Sequence, residues 1–263
     1  MQDQKLFGHR EGNIGHVVFN NPAKLNAVSL DMWERMVGVL GDFAQDPEIR
    51  CVVVSGTGGK AFVSGADISK FESERANAEA QVRYDAISKD GYEALYNFPK
   101  PTIAKINGYC IGGGMNLAAC CDLRYCNEAA RFGVPAARLG LGYGFLRIER
   151  LSRIVGLPRA MEFLFTAKQY SSKEAAEMGL VHGVAATDAE LDAMVGKITS
   201  AIGENAPLTI ALAKASAREI AKPESQQDHA KLERMAVACF DSGDYQEGRR
   251  AFMEKRKPVF KGR

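Results

Sequence analysis

The stretch from Gly108 to Asp122, G-Y-C-I-G-G-G-M-N-L-A-A-C-C-D, is the most informative part of this chain. An apolar segment, Thr102 to Ile106, precedes it and predicts a buried strand. Three glycines at positions 112–114 follow, and then Leu117 starts a run that is typical of a buried helix. A strand that turns through glycines into a helix directs free backbone N–H groups at one point. Such a turn suits an anion, or an oxygen that gains negative charge.

A second segment, Lys60 to Ile68, reads K-A-F-V-S-G-A-D-I and also places a glycine beside small residues. It follows a β-rich run, Cys51 to Val54, so it predicts another turn at the end of a strand. Three glycines alone are more typical of a tight strand-to-helix turn than of a binding site. Two such turns can place two N–H groups on one oxygen, and the pair therefore favours a functional site.

Composition predicts a soluble globular protein. The chain has 263 residues, of which 46% are hydrophobic and 25% charged, and its net charge is +2. This charge gives no electrostatic reason to expect a nucleic-acid partner. The first residues carry no apolar core of signal-peptide length, and no apolar run approaches the roughly 20 residues of a membrane span. We therefore expect a cytoplasmic protein with no membrane partner.

The cysteines and histidines predict neither disulfides nor a metal site. The six cysteines include no C-x-x-C pair, and most lie in apolar runs where a free thiol behaves as a small hydrophobe. The four histidines are scattered along the chain, without an H-E-x-x-H motif or a Cys/His cluster. The residues concerned are Cys51, Cys110, Cys120, Cys121, Cys126, Cys239, His9, His16, His182 and His229.

Strands alternate with helices in the hydrophobic pattern, which predicts an α/β protein. Ile14 to Phe19 is predicted as a strand, and Ser29 to Phe43 as an amphipathic helix. The sequence S-S-K-E at 171–174 matches a capping box before a short helix that Gly179 ends. After Pro207 the pattern is helical, with breaks near residues 223 and 243. The predicted apolar face of the first helix comprises Trp33, Met36, Val37, Leu40 and Phe43.

Both glycine segments resemble the crotonase superfamily, also called the enoyl-CoA hydratase/isomerase family. The similarity extends nearly from end to end. It includes A-F-x-x-G-A-D-I from Ala61, P-T-I-A-K-I-N-G from Pro101, G-G-G at 112–114, N-P-A-K-L-N-A from Asn21, R-F-G-V-P from Arg131 and Y-Q-E-G-R-R-A-F-M-E-K-R-K-P from Tyr245.

The resemblance implies a fold and an assembly. The fold is an α/β spiral of ββα turns, with C-terminal helices that build a trimer. Residues 1–200 would form the core that binds acyl-CoA, and residues 201–263 the helical region for oligomerisation and CoA contact. The implied partners are an acyl-CoA substrate and further copies of the chain, as a homotrimer or a dimer of trimers. Coenzyme A would enter as part of the substrate, without a prosthetic group.

The resemblance also assigns roles to particular residues. The thioester carbonyl would bind between the backbone N–H groups of Ala66 and Gly113, which would stabilise a thioester enolate. Lys24, Leu25 and Ala27 would contact the adenine. Asp67 and Ile68 would border the acyl-CoA channel. Phe252 and Lys255, in the last helix, would reach the CoA of a neighbouring subunit.

The chain departs from the family at the two glutamates of the hydratases. Asn116 occupies the position of one glutamate, and Ala136 occupies the position of the other. Paired carboxylates are how such a site exchanges the protons of water and of the α-carbon. Asparagine forms hydrogen bonds but exchanges no proton near neutral pH, and alanine does neither. Hydration by the usual mechanism is therefore not expected, and the single-glutamate isomerase mechanism is doubtful for the same reason.

Tyr143 is a candidate catalytic residue in the glycine-rich turn after Leu139. The chain partly resembles the methylmalonyl-CoA decarboxylase branch, which has a tyrosine in a comparable turn and a similar D-S-x-D-Y-Q-E-G segment, here from Asp241. That branch keeps a glutamate at the Asn116 position and a histidine at the Ala66 position, so the match is incomplete. Packing of Tyr143 at a turn is an equal alternative.

Three functions follow from this inventory. The first is an acyl-CoA enzyme, a lyase or isomerase of fatty acid metabolism, that uses the oxyanion hole with little side-chain acid–base help. Decarboxylation of a malonyl-type thioester suits it best. The second is an atypical enoyl-CoA hydratase/isomerase, and the third is a non-catalytic acyl-CoA-binding protein. Arg138 is a further candidate, as a ligand for a substrate carboxylate.

Overall fold

Ten strands and ten helices are formed by the residues that the computed structural model describes, which are 4–67, 70 and 77–263. The strands are β1 Leu6–Glu11, β2 Ile14–Phe19, β3 Cys51–Gly56, β4 Ala61–Val63, β5 Thr102–Ile106, β6 Tyr109–Ile111, β7 Leu123–Asn127, β8 Arg131–Gly133, β9 Gln169–Ser171 and β10 Gly183–Ala185. The helices are α1 Leu30–Gln45, α2 Ala78–Tyr96, α3 Gly113–Cys120, α4 Phe145–Val155, α5 Leu157–Thr166, α6 Ser172–Glu177, α7 Asp188–Glu204, α8 Pro207–Ile220, α9 His229–Phe240 and α10 Gly243–Met253.

From β3 to β8, successive strands alternate between two sheets. The larger sheet has the order β1-β2-β3-β5-β7-β10, and the smaller has the order β4-β6-β8-β9. Strands β3, β5 and β7 lie in the larger sheet, and the strand that follows each of them lies in the smaller sheet. Helices α2, α3 and α4 come after these three strand pairs. The chain therefore forms a spiral of ββα turns, which confirms the predicted α/β fold.

The core fills the space between the two sheets and the helices. Its largest fully buried side chains include Trp33, Phe62 and Phe132. A smaller cluster, with Val53 and Leu191, lies on the other face of the larger sheet beneath α7. Because the C-terminal ends of parallel β4 and β6 are neighbours in the small sheet, the chain leaves the core at two adjacent turns.

The first helix was predicted within two residues at its C-terminal end, but one residue of its predicted face was wrong. Helix α1 starts at Leu30 and ends at Gln45. Val37 is 38% exposed, whereas Met32 and Val39 are buried in the core. Residues 32, 36 and 39 follow one another at helical spacing on the buried face, and Val37 lies one residue, about 100°, away from Met36.

Other local predictions agree with the structure. Strands β2 and β5 have the predicted bounds, and the predicted strand from Cys51 extends to Gly56. Ser171 and Glu174 form the capping box of α6. The six cysteines are free thiols. One predicted boundary was wrong: helix α3 begins at Gly113, four residues before Leu117, so the last two of the three glycines belong to the helix.

The last third of the described chain is helical, as predicted. The predicted boundary after residue 200 falls within α7, which packs on the larger sheet, and α8 begins at Pro207. Asp122 links α8 to the sheet, because it accepts hydrogen bonds from Thr102 and forms ion pairs with Lys214 and Arg218 at 2.6 and 2.9 Å. No helix in the described ranges is both long and apolar enough for a membrane span.

Candidate functional site

The two glycine turns predicted from the sequence meet at one point. One turn follows β4 at Gly65 and Ala66, and the other joins β6 to α3 at Gly112 and Gly113. Gly65 has a φ of +113°, a conformation that favours glycine. A Cβ at Gly65 would lie 3.5 Å from the carbonyl oxygen of Ile111 and 3.7 Å from the nitrogen of Gly113. The two turns therefore lie so close together that a side chain at Gly65 would fill the space between them.

Both turns present an unused backbone N–H group. The N–H of Asp67 donates to Val28 at 3.0 Å, and the N–H of Val28 donates to Gly65 at 2.8 Å, so this bridge leaves out the N–H of Ala66. Gly113 is the first residue of α3, where a helix has no internal acceptor for an N–H. Neither Ala66 nor Gly113 donates a backbone hydrogen bond to any residue described in the structure. Both line one cavity of about 390 Å³.

Close packing beneath the second turn requires glycine at position 114. A Cβ there would lie 2.0 Å from the carbonyl oxygen of Val63, closer than non-bonded atoms approach. Because the obstacle is backbone of β4, no side-chain rotation relieves the clash. Gly114 thus lets α3 start directly against β4, and this contact sets the distance between the two turns.

Two tyrosines hold the peptide groups around Gly113. The hydroxyl of Tyr143 donates to the carbonyl of Gly112 at 3.1 Å, and the hydroxyl of Tyr92 donates to the carbonyl of Gly113 at 3.2 Å. Burial raises the pKa of Tyr92 and the pKa of Tyr143 well above their ordinary values, so both hydroxyls remain protonated at neutral pH. Tyr143, which lies in the glycine-rich turn after Leu139, therefore contacts the turn at Gly112, a contact that the sequence did not predict.

The two positions that lack glutamate face different parts of the site. Ala136 lines the 390 Å³ cavity and brings no polar group to it. Asn116 lies on α3, is 1% exposed, and lines an adjoining compartment of about 310 Å³. Neither the amide nitrogen nor the amide oxygen of Asn116 has a hydrogen-bond partner in the described part of the chain. The hydroxyl of Tyr92 lies near this amide but donates to Gly113 instead.

Arg147 and Asp85 line both compartments, and the sequence analysis missed them. The Arg147 guanidinium carbon lies 5.4 Å from the ring centre of Tyr92 and 5.8 Å from that of Tyr143. Asp85 is exposed on α2 and accepts a hydrogen bond from Gln81 at 2.9 Å. No motif marks either residue, because helices α2 and α4 meet at the site only in three dimensions. Arg138, the candidate from sequence, is exposed and lines neither compartment.

The predicted adenine-binding segment lies beside the first turn. Leu25 has a φ of +51°, and its carbonyl accepts a hydrogen bond from the N–H of Ser64 at 3.1 Å. Lys24 forms an ion pair at 2.8 Å with Asp67, which is buried. Ala27 is also buried and lies next to this loop. Ile68, the other residue predicted to border the channel, lies outside the described residues.

The two predicted CoA contacts near the C-terminus are outside this cavity within one chain. Phe252 is 82% exposed at the end of α10, where it lines an apolar groove together with residues of α8 and α9. Lys255 is exposed just after α10 and has a φ of +54°. Contact with coenzyme A across a subunit interface stays a prediction for both residues.

One group of metal-ligating side chains was not expected from the scattered histidines. Strand pairing places His9 directly opposite His16, and Glu11 completes a group whose ligand atoms lie within 4.8 Å of one another. The two imidazole rings are stacked, with centroids 4.7 Å apart and planes at 8°. Nearly parallel rings direct their in-plane lone pairs side by side, rather than at one ion. The group lies on the β1–β2 hairpin, away from the cavity.

Known proteins match this chain over almost its whole length. The model for enoyl-CoA hydratase/isomerase proteins matches residues 9–263. The chain belongs to the enoyl-CoA hydratase/isomerase family, the crotonase superfamily. A short-chain-enoyl-CoA hydratase of Clostridium acetobutylicum is 34% identical over 98% of this chain and 97% of its own. A peroxisomal Δ(3,5)-Δ(2,4)-dienoyl-CoA isomerase of Arabidopsis thaliana is 34% identical over 95% and 93%.

Solved structures of the family have the same fold. The crystal structure of an enoyl-CoA hydratase/carnitine racemase from Magnetospirillum magneticum superimposes with a TM-score of 0.94. It is 35% identical in sequence, and the match covers 99% of this chain and 96% of the other. The family and the α/β spiral predicted from the glycine segments are thus confirmed, whereas the roles of individual residues stay predictions.

Proposed function

We propose that this chain binds an acyl-CoA thioester with the thioester oxygen between the N–H groups of Ala66 and Gly113, and that it stabilises the enolate of that thioester. The observation that carries the proposal is the pair of N–H groups, without acceptors among the described residues, on two neighbouring turns that line one cavity. Preorganised backbone donors stabilise an oxygen that gains negative charge, and one such donor is worth about 10²–10³ in rate.

Within this chemistry, loss of CO₂ from a malonyl-type thioester fits the residues best. The bond between the α-carbon and the carboxylate breaks, and its electron pair forms the enolate while CO₂ leaves. The enolate then takes a proton from solvent. No side-chain base is needed in the first step, which agrees with Ala136 in the cavity and Asn116 beside it. Tyr143 acts in this proposal by holding the turn that presents the N–H of Gly113.

A panel of CoA thioesters tests the proposal. Purified protein is incubated with crotonyl, longer enoyl, malonyl, methylmalonyl, ethylmalonyl and aromatic acyl thioesters, and the products are identified by mass spectrometry. We expect loss of CO₂ from a malonyl-type member. Ala66→Pro removes one N–H and is expected to abolish turnover, whereas Ala66→Gly keeps that N–H and serves as the matched control. Full activity of a folded Ala66→Pro protein contradicts the proposed oxyanion hole.

Hydration or isomerisation of an enoyl thioester is the second candidate, because relatives at 34% identity carry these activities in their names. In that case Asn116→Glu combined with Ala136→Glu is expected to raise hydration of crotonyl-CoA, since the pair would supply the missing acid and base. Binding of every thioester without conversion would instead favour a non-catalytic acyl-CoA-binding protein.

The proposal includes the binding of coenzyme A and the assembly of the chain. Lys24, Leu25 and Ala27 would contact the adenine from the loop beside the first turn. Phe252 and Lys255 would reach the coenzyme A of a neighbouring subunit in a homotrimer or a dimer of trimers. The exposed apolar groove at Phe252 supports an interface there. Sedimentation of a clean monomer at micromolar concentration would contradict this assembly.

A further inference from the structure

The compartment next to the oxyanion turns is lined by a buried amide that has no hydrogen-bond partner in the described part of the chain. Asn116 is almost fully buried, yet its amide has no partner among the described residues. A buried amide without a partner loses its hydration and gains nothing in return, so native proteins rarely keep one without a reason. Asn116 lines the compartment of about 310 Å³, so a ligand placed there would lie next to this side chain.

Arg147 brings a positive charge to the same compartment. Across the described residues, its guanidinium forms no ion pair and no hydrogen bond, although it is half-buried. It lies over the rings of Tyr92 and Tyr143, the two side chains that hold the oxyanion turn. These ring contacts orient the guanidinium without using its N–H donors, which stay available for a planar anion such as a carboxylate.

The remaining charges of the compartment do not cancel that of Arg147. Its lining contains three basic side chains and two acidic ones. Glu93 and Arg150 form an ion pair with each other, and Asp85 is exposed and bonded to Gln81. Lys89 is also exposed at this edge. The five charged side chains therefore leave a net positive charge in the compartment that adjoins the cavity of the two turns.

We propose that Arg147 and Asn116 form a carboxylate-binding subsite, and that the chain selects acyl-CoA thioesters whose acyl group ends in a free carboxylate. Arg147 supplies charge-assisted hydrogen bonds, and the Nδ2 group of Asn116 donates to the same carboxylate. This inference rests on the proposed binding of a thioester at Ala66 and Gly113. It also gives a ligand to the Asn116 amide, which has no hydrogen-bond partner among the described residues.

Equilibrium binding tests the subsite without requiring turnover. Isothermal titration with succinyl-CoA and butyryl-CoA compares acyl groups with and without a carboxylate on the same coenzyme A. We expect the wild-type protein to bind succinyl-CoA about 10- to 100-fold more tightly, the range for hydrogen bonds to a charged group. Arg147→Gln is expected to remove most of this preference while leaving the affinity for butyryl-CoA within about twofold.

Two further variants separate charge from structure. Asn116→Asp changes the amide to a carboxylate of the same shape, and it is expected to reverse the preference by repelling succinyl-CoA. Arg153→Gln is the matched control, because Arg153 lies on the same helix, pairs with Glu149, and lines neither compartment. It is expected to retain the wild-type preference.

The outcomes distinguish the subsite from the proposed function. Equal wild-type affinity for the two thioesters, or an unchanged preference in Arg147→Gln, overturns the subsite but leaves the oxyanion hole standing. A preference for succinyl-CoA that Arg147→Gln and Asn116→Asp both remove, and that Arg153→Gln retains, supports the subsite, even if no malonyl-type thioester loses CO₂, in which case only decarboxylation fails. If neither thioester binds to the wild-type protein, the subsite and the proposed function are both overturned.

Discussion

Replacement of Tyr143 by phenylalanine distinguishes a residue that holds the oxyanion turn from one that transfers a proton. The tyrosine hydroxyl makes one hydrogen bond of 3.1 Å, to the neutral carbonyl of Gly112. A bond of this kind contributes about 0.5–1.5 kcal/mol. Because 1.4 kcal/mol corresponds to a factor of ten, its loss is expected to lower kcat by roughly 2- to 13-fold. A general acid or base contributes about 10²–10⁴-fold instead.

The assay is steady-state turnover of the thioester that the panel identifies, measured across pH. Tyr143→Phe is expected to lower kcat within the smaller range, leave KM nearly unchanged, and keep the shape of the pH profile. Tyr109→Phe, at a partly exposed tyrosine that lines neither compartment, is the control. A loss of 100-fold or more together with a lost limb of the pH profile would refute the positioning role and show that Tyr143 carries a proton.

Three predictions concern stability. Gly114→Ala is expected to lower the free energy of unfolding by about 1–3 kcal/mol or more, because the new Cβ would lie 2.0 Å from backbone. Gly38→Ala is the control, because Gly38 lies on α1 with open space around it, and it is expected to be neutral or stabilising by up to about 1 kcal/mol. Urea unfolding measures both. Asp122→Asn is expected to lower the melting temperature, because the nearly buried cation of Lys214 loses its charged partner. Burial, and to a lesser degree the charge of His9, lowers the pKa of His16. The contribution of His16 to stability is therefore present above about pH 6.5 and is lost as the pH falls. His16→Gln is expected to weaken the dependence of the melting temperature on pH in this range.

Local patterns in the sequence predicted the elements whose periodicity is complete within one segment. Strand β5 was predicted with its bounds, because four of the five residues of this strand, which pairs with neighbours on both sides, are apolar or small. The three-residue strands β4, β6 and β8 were not predicted, since so short a segment has no period and is defined only by its partners in the small sheet. Val37 was misplaced for a related reason, because the direction that a helix buries depends on what packs against it.

The candidate site shows the same difference between features that are local in sequence and features that only the fold brings together. The two turns were predictable because glycine next to a strand end is a local signal for special backbone geometry. The compartment at Asn116 was not predictable, because Arg147 comes from a helix 31 residues further along and meets it only through the fold. The sequence therefore indicates where negative charge would be stabilised, but not which charged group the substrate carries.

Backbone and side-chain groups of this site are under different constraints, and this difference bears on the reaction. The N–H groups of Ala66 and Gly113 are held by strand pairing and by the contact of Gly114 with β4, and any residue other than proline at these two positions keeps its N–H. The side chains at positions 116 and 136 do not hold the turns in place, and asparagine or alanine fits there without altering them. A site that keeps its donors and lacks both carboxylates still stabilises an enolate, but the enolate must form without them. Loss of CO₂ meets this condition because the bond that breaks supplies the electron pair, and Arg147, which lines the same cavity and has no ion pair among the described residues, could first bind the carboxylate that leaves.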